Sequence, residues 1–99
     1  MLFMIFTNQK QIIAVLKSLA NPRRLQIITY LKKKESSNVY AIARKIELSH
    51  RSTSKHLLNL ENAGLVSRKQ RSRDVFYQLN SGISPVIISI IDSFARMSE

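Results

Sequence analysis

The side chains best suited to do chemistry in this chain lie within one segment, Ser49–Gly64. At about 100° per residue, Arg51 and Lys55 share one face of a helix through this segment, opposite its apolar residues. Long cations on an exposed helix face suit the acceptor edge of guanine in a DNA major groove. A face turned to plain solvent has the same composition, so other features must distinguish the two interpretations. The predicted base-reading side chains are Arg51, Lys55, Ser52, Ser54 and His50.

The helix that carries these side chains is marked at both ends. Ser49 can cap it, because its hydroxyl accepts a hydrogen bond from an unpaired backbone N–H of the first turn. Gly64 ends it, because glycine adopts the left-handed conformation without a steric penalty. Between them, Thr53, Leu57 and Leu60 recur at i, i+4 and i+7, which predicts one buried face.

A shorter helix is predicted directly before it, over Val39–Ile46, where apolar residues again follow helical spacing. The tight turn at 47–48 joins the two helices into a helix-turn-helix spanning about 39–63. The polar stretch Glu35–Asn38 in front of them is predicted to be a loop.

Two further helices are predicted upstream. Apolar spacing indicates a first helix over about 7–19, and Asn21 followed by Pro22 then marks the start of a second one. The lysines at 32–34 fall at the end of this second helix, where positive charge complements the helix dipole.

After Gly64 the hydrophobic period changes to that of strands. Two short strands, at 65–70 and 75–79, predict a hairpin beside the helix-turn-helix, that is, a wing over about 65–79. Hairpin tips are often polar because they face water, but four cations within six residues favour contact with sugar-phosphate. The predicted phosphate-contacting residues are Arg44, Lys45, Arg68, Lys69, Arg71 and Arg73.

The charge of the chain is strongly positive and unevenly placed. Sixteen Lys and Arg stand against six Asp and Glu, which gives a net charge of +10 on 99 residues. Residues 1–43 and 44–73 each carry a net +6, whereas residues 74–99 carry −2. The surplus predicts a polyanionic partner, double-stranded DNA, for the first two segments. The length predicts a single small domain over 1–99.

The sequence excludes thiol chemistry and offers little for catalysis. Without cysteine there is no disulfide, thiolate metal site or redox switch. No Gly-rich phosphate loop or paired-carboxylate site is evident, so we predict no enzyme activity and no cofactor. The apolar start Met1–Phe6 is too short for a signal peptide or a membrane span, so we expect a cytoplasmic protein without a membrane partner.

The last predicted helix, at about 85–96, is apolar on most of its sides. A small domain cannot easily bury such a helix alone, which predicts that the two terminal helices, 7–19 and 85–96, pack across a two-fold axis. The alternative is a terminal helix folded onto its own core. The predicted dimer residues are Ile12, Leu16, Ile87, Ile88, Ile91 and Phe94.

Three segments, taken in their order along the chain, resemble the ArsR-type (arsenic-repressor-like) winged helix-turn-helix regulators. They are Leu16–Leu25, Leu48–Leu57, and Gly64–Val66 with Val75–Leu79. The resemblance covers about residues 14 to 95. It implies a mainly α fold with a small β-hairpin, in the order ααααββα. It also implies a homodimeric repressor that binds an imperfect palindrome near a promoter and leaves when a signal arrives.

The sequence departs from the metal-sensing members of that family. The thiolate pair of arsenic, lead and cadmium sensors falls on Asn38 and Tyr40, which are not soft-metal ligands. Zinc and nickel sensors use Asp and His on the last helix, where this chain offers Asp92 and no histidine. His50 and His56 point in different directions from one helix. We therefore expect a subtype that binds no metal.

Two other functions are also compatible with these residues. A winged helix can serve as a protein-interaction adaptor, and a basic one can bind nucleic acid without sequence preference. An adaptor has no need for a net +6 over the helix-turn-helix and wing, so the charge favours a sequence-specific DNA-binding regulator.

Overall fold

The computed structural model of the chain describes residues 9–97. The predicted start of the first helix at residue 7 and the apolar segment 1–6 lie outside these residues. Five helices and three strands follow one another: α1 (Gln9–Leu19), α2 (Pro22–Lys33), β1 (Ser37–Asn38), α3 (Val39–Ile46), α4 (His50–Asn62), β2 (Val66–Arg71), β3 (Asp74–Leu79) and α5 (Pro85–Met97). The predicted mainly α architecture with a small hairpin is confirmed.

Helix boundaries fall where the capping residues predict them. Asn21 Oδ1 accepts from the backbone N–H of Arg24 at 3.0 Å, and Pro22 occupies the first turn of α2. Ser49 Oγ accepts from the N–H of Ser52 at 3.1 Å, which caps α4. Gly64 has φ 83° just after α4 ends. Each cap satisfies backbone groups that a helix end leaves unpaired.

The sheet contains one strand that the sequence did not predict. β3 lies in the middle, antiparallel to β2 on one side and to β1 on the other. Ser37 pairs with Tyr77, and Asn38 pairs with Phe76. The prediction of a loop over Glu35–Asn38 is therefore wrong in its second half. Two residues are too short to show a strand period, and their partner strand is distant in sequence.

Helix α4 packs into the core through the face that its spacing predicts. Thr53, Leu57 and Leu60 are fully buried. Leu57 and Leu60 belong to one hydrophobic core cluster with buried side chains of α2, α3 and α5, among them Ile27, Ile28, Leu31, Ile42 and Ile91. The Thr53 hydroxyl has no hydrogen-bond partner among residues 9–97, so this side chain contributes to the core chiefly through its methyl group.

Two of the dimer residues that were predicted on helix α5 are buried in the structure, so their prediction is wrong. Ile87 is 4% exposed and Ile91 is 0% exposed, so both belong to the core of their own protomer. They face inward because α5 packs against α2. The apolar side chains that α5 leaves exposed are Val86, Ile90 and Met97.

Candidate nucleic-acid interface

The outer face of α4 presents the two cations that were predicted to read bases. Arg51 and Lys55 are exposed, on the side of the helix opposite its buried residues. Leu58 shares this face, one turn after Lys55, and is 56% exposed. Leu58 was not among the predicted base-reading residues, although its place outside the buried spacing was the available signal. This surface therefore combines charged donors with one apolar side chain.

The other predicted base readers lie on the two flanks of α4. His50 and Ser54 border a cleft between α4, the start of α3 and the wing, with a volume of about 400 Å³. The His50 ring lies 4.6 Å from the ring of Tyr40, centroid to centroid. Tyr40 is 63% exposed and was also missed by the sequence analysis as a member of this surface. Ser52 projects from the opposite flank.

The wing is connected to the helix-turn-helix by Arg68. Its Nε lies 3.9 Å from a Glu61 carboxylate oxygen of α4. A hydrogen bond to the Tyr77 side chain, together with the charges of Tyr77 and Glu61, raises the pKa of Arg68. Arg73, at the hairpin turn, borders the same cleft. Arg68 and Arg73 thus lie on the side of the wing that faces α4.

The remaining wing cations lie on the other side of the hairpin. Successive residues of a strand point to opposite faces, so Lys69 and Arg71 project away from the side that carries Arg68. The Arg71 guanidinium lies 5.4 Å from the centroid of the Phe76 ring, a cation–π contact. All these cations are exposed. The wing therefore offers positive charge on both of its faces.

The structure separates the two cations of α3. Arg44 is exposed one turn after Tyr40, on the side of α3 near the cleft. Lys45 instead borders a different groove, of about 310 Å³, with residues of α2 and with Phe94 of α5. Lys45 is therefore not brought together with the other predicted phosphate-contacting residues.

Two arginines at the start of α2 were not among the predicted site residues. Both form hydrogen bonds that connect α2 to the helix-turn-helix. Arg23 Nη1 donates to the carbonyl of Ile46, at the end of α3. Arg24 Nε donates to the carbonyl of Ser18 at 2.6 Å, and Arg24 Nη1 lies 3.2 Å from His56 Nδ1. The signal available in the sequence was their place in the first turn of a capped helix, which does not reveal distant partners.

His56 is a structural hydrogen bonder. The pKa of His56 is lowered from 6.5, chiefly by partial burial and to a smaller extent by the positive charges of Arg24 and Arg23. The neutral ring is therefore favoured, and it accepts from Arg24 through Nδ1. His56 and His50 lie on opposite flanks of α4.

The described part of the chain offers no cluster for a metal ion. No group of three His, Asp or Glu side chains within residues 9–97 could hold one. Asn38, at the place of the family's thiolate pair, uses its side chain to cap α3, accepting from Ala41 N–H at 2.8 Å. Tyr40 contacts His50. The residues at that place therefore do not fit a soft metal. Helices within the same range are also too short or too polar to cross a bilayer.

A helix-turn-helix with a cationic outer helix, followed by a β-hairpin that carries cations beside it, defines the winged helix-turn-helix class of DNA-binding domains. Solved structures support this class. The homodimeric winged helix-turn-helix DNA-binding domain Mb0332 of Mycobacterium bovis has a TM-score of 0.77 and 28% identity, covering 88% of this chain and 80% of that one. The transcriptional repressor PagR of Bacillus anthracis has a TM-score of 0.73 and 26% identity, covering 86% of this chain and 93% of that one.

Sequence comparison identifies the family. The family model described as bacterial regulatory protein, arsR family, matches residues 21–68. The transcriptional activator HlyU of Vibrio cholerae is 36% identical over 84 residues, which cover 85% of this chain and 77% of HlyU. A structure of HlyU has a TM-score of 0.76 and 32% identity, covering 93% of this chain and 96% of that one. The chain belongs to the arsR family and is a DNA-binding transcriptional regulator, so the predicted resemblance is confirmed.

Proposed function

We propose that this protein is a homodimeric, sequence-specific repressor that binds a palindromic operator in the cytoplasm, without a metal ion and without catalysing a reaction. One observation carries the proposal: α4 exposes Arg51 and Lys55 on the face opposite the core, beside a wing that exposes further cations. The face is free of carboxylates, because Glu61 is turned toward Arg68 of the wing. Such a surface attracts a polyanion and presents donors to base edges.

The proposed roles follow from position. Arg51 and Lys55 enter the major groove, and His50 and Ser54 contact bases or sugar where the cleft meets the groove. Ser52 contacts the DNA strand that runs along the other flank of α4. The proposed phosphate contacts come from α3 and the wing, namely Arg44, Arg68, Lys69, Arg71 and Arg73. Lys45 is not included, because it borders the groove between α2 and α5.

The proposed dimer uses the exposed apolar side chains of the terminal helices. On α1, Ile12, Ile13 and Leu16 are 37%, 50% and 46% exposed. On α5, Ile90 is exposed, and Phe94 and Ile88 are partly buried. An apolar surface shared by two helices is typical of subunit interfaces. The homodimeric state of the M. bovis relative supports a homodimer here. A dimer would place two α4 helices in successive major grooves, about 34 Å apart.

Repression is proposed on grounds of mechanism and kinship. Occupying a promoter is enough to block transcription. The B. anthracis relative is a repressor, whereas HlyU is an activator, so the sign of regulation has to be measured.

A mobility-shift titration tests the proposal. The probes are a promoter fragment from the protein's own gene and a random duplex of equal length, at several salt concentrations. We expect tighter binding to the promoter fragment, and a loss of affinity of roughly 10³-fold or more between 50 and 200 mM salt. Equal binding to both probes would indicate non-specific nucleic-acid binding. No binding to either probe at low salt would favour a protein-interaction adaptor. A reporter gene behind the bound promoter then gives the sign of regulation.

A further inference from the structure

Arg24 connects three helices through donors that point into the protein. Its Nε donates to the Ser18 carbonyl of α1 at 2.6 Å, and its Nη1 donates to His56 Nδ1 of α4 at 3.2 Å. A guanidinium can only donate hydrogen bonds, so His56 accepts, and the proton of its neutral ring is on Nε2. Arg24 itself is partly buried. It therefore joins the end of α1 to one flank of the recognition helix α4.

A second contact lies next to the first and joins the same two helices. The hydroxyl of Ser18, which is 3% exposed, donates to Asn59 Oδ1 at 2.6 Å. His56 and Asn59 are three residues apart and lie one turn apart on the same flank of α4. Because the two contacts lie one turn apart along α4, they restrict both the position of α4 and its rotation about its own axis.

The opposite flank of α4 and the turn before it are held separately. Glu61 on that flank lies 3.9 Å from Arg68 of the wing. Arg23, beside Arg24, donates to the Ile46 carbonyl at the end of α3. With side chains included, a helix has a radius of about 5–6 Å, so a rotation of about 10° moves its outermost atoms by about 1 Å. A shift of that size disrupts a hydrogen bond to a base edge.

We infer that Arg24 is a positioning residue for DNA recognition: through Ser18 and His56 it sets the rotation at which α4 presents Arg51 and Lys55 to the bases. Arg24 contacts no DNA itself. The inference rests on the proposed function, in which α4 reads bases. It assigns to an inward-facing cation a role in sequence preference, distinct from the non-specific attraction that the exposed cations supply.

The decisive measurement compares Arg24→Gln with Lys17→Gln. Both changes remove one positive charge, but Lys17 is exposed on α1 and lies outside the Arg24 contacts. We expect Arg24→Gln to bind the operator about tenfold or more weakly, because α4 is then no longer held at the rotation that aligns Arg51 and Lys55 with the base edges. Its affinity for random duplex should match that of Lys17→Gln. The slope of log K against log salt should equal that of Lys17→Gln, since no phosphate contact is lost.

Two results would overturn the inference. One is operator affinity in Arg24→Gln equal to that of Lys17→Gln. The other is an equal loss on operator and random duplex with a salt slope reduced by about 1 per subunit, which would make Arg24 a phosphate contact. A wild-type protein that treats the two duplexes alike would instead contradict the proposed function.

A pair of variants on α4 separates positioning from folding. His56→Leu removes the acceptor for Arg24, whereas His56→Gln keeps an acceptor oxygen at similar reach. Both are assayed well below their melting temperatures, with circular dichroism confirming the helix content. We expect His56→Leu to lose operator preference about as much as Arg24→Gln does, and His56→Gln to retain most of it. Full discrimination in a folded His56→Leu protein would contradict the inference.

Discussion

At the scale of single residues, the exposure of a cation distinguishes its proposed tasks. Arg51 projects from the outer face of α4, Arg73 lies at the tip of the wing, and Arg24 is turned inward against Ser18 and His56. The three guanidiniums have the same chemistry. Their surroundings give them base-reading, phosphate-binding and positioning roles in our proposal.

The first prediction contrasts Arg51→Ala with Arg73→Ala. Loss of a base-edge contact by Arg51 should reduce discrimination between operator and random duplex by about 1–3 kcal/mol per half-site. Loss of a phosphate contact by Arg73 should weaken binding to all sequences about equally and lower the salt slope by about 1 per subunit. Both are measured by titration on the two duplexes. If Arg51→Ala lost affinity equally on both, Arg51 would not read bases.

The second prediction concerns pH. The pKa of His56 is lowered from 6.5 by burial and by Arg24 and Arg23, so the unfolded chain binds this proton at a higher pH than the folded protein does. The free energy of unfolding should therefore fall as the pH drops below about 6.5 and level off below the folded-state pKa. Urea titrations of wild type and His56→Gln between about pH 5 and 8 measure this, because the variant lacks the titrating ring. Parallel pH profiles for both proteins would contradict the prediction.

At the scale of elements, the recognition helix depends on how it ends and on what holds its flanks. Gly64 has φ 83°, and Leu65 N–H bonds back to the Leu60 carbonyl at 3.0 Å, which closes the last turn of α4. Asn80 then donates to the Gly64 carbonyl at 2.6 Å and joins this end to the chain after the wing. The turn that ends α4 therefore also sets where β2 begins.

The third prediction tests this turn. A Cβ at position 64 would meet nothing within 4 Å, so substitution there is opposed by backbone conformation and not by crowding. Gly64→Ala should lower the free energy of unfolding by about 1 kcal/mol, and Gly64→Asn by less, since asparagine tolerates the left-handed region better. Gly82, which has no positive φ, provides the control, and Gly82→Ala should change stability little. Thermal unfolding followed by circular dichroism measures all three variants.

At the scale of the whole molecule, charge and apolar surface lie at different places. The surplus of positive charge lies in residues 1–73, whereas residues 74–99 are net negative and contain the apolar helix α5. Apolar side chains remain exposed on α1 and α5, on different helices from the cations of α4. This separation allows one protomer to bind DNA through one surface and a second protomer through another.

The fourth prediction tests that separation with two matched substitutions. Leu16 on α1 and Leu58 on α4 are 46% and 56% exposed. Leu16→Glu should dissociate the dimer in sedimentation velocity, because it places a charge in an apolar interface, and should thereby weaken operator binding. Leu58→Glu should leave the dimer intact and weaken DNA binding directly through repulsion of phosphates. A wild-type protein that sediments as a monomer, or a Leu16→Glu dimer, would contradict the proposed interface.

The sequence could predict the helices, the wing and the outer face of α4, because their signals are local. A cap such as Ser49 acts on the N–H three residues later, and the buried spacing of Thr53, Leu57 and Leu60 repeats within two turns. Gly64 marks the end of the helix for the same kind of reason. The family followed from the order of three such local blocks.

Long-range partners were outside the reach of the sequence. Nothing near Ser37 predicts that it pairs with Tyr77, and nothing near Arg24 predicts that it bonds to His56. The spacing of α5 shows an apolar helix but not which of its sides a neighbouring helix covers. For that reason, Ile87 and Ile91 were placed at the wrong surface.

Taken alone, the order of residues determined which segments are helical, where α2 and α4 start, where α4 stops, and that α4 turns its cations outward, because backbone hydrogen bonds and helical periodicity act within about four residues. Only the tertiary structure decided which polar groups meet across the core. The Ser18–Asn59 bond joins residues 41 positions apart, and its existence depends on how α1, α2 and α4 pack together. Packing selects one of many pairings that the same local pattern allows, and it is this selection that orients the recognition helix.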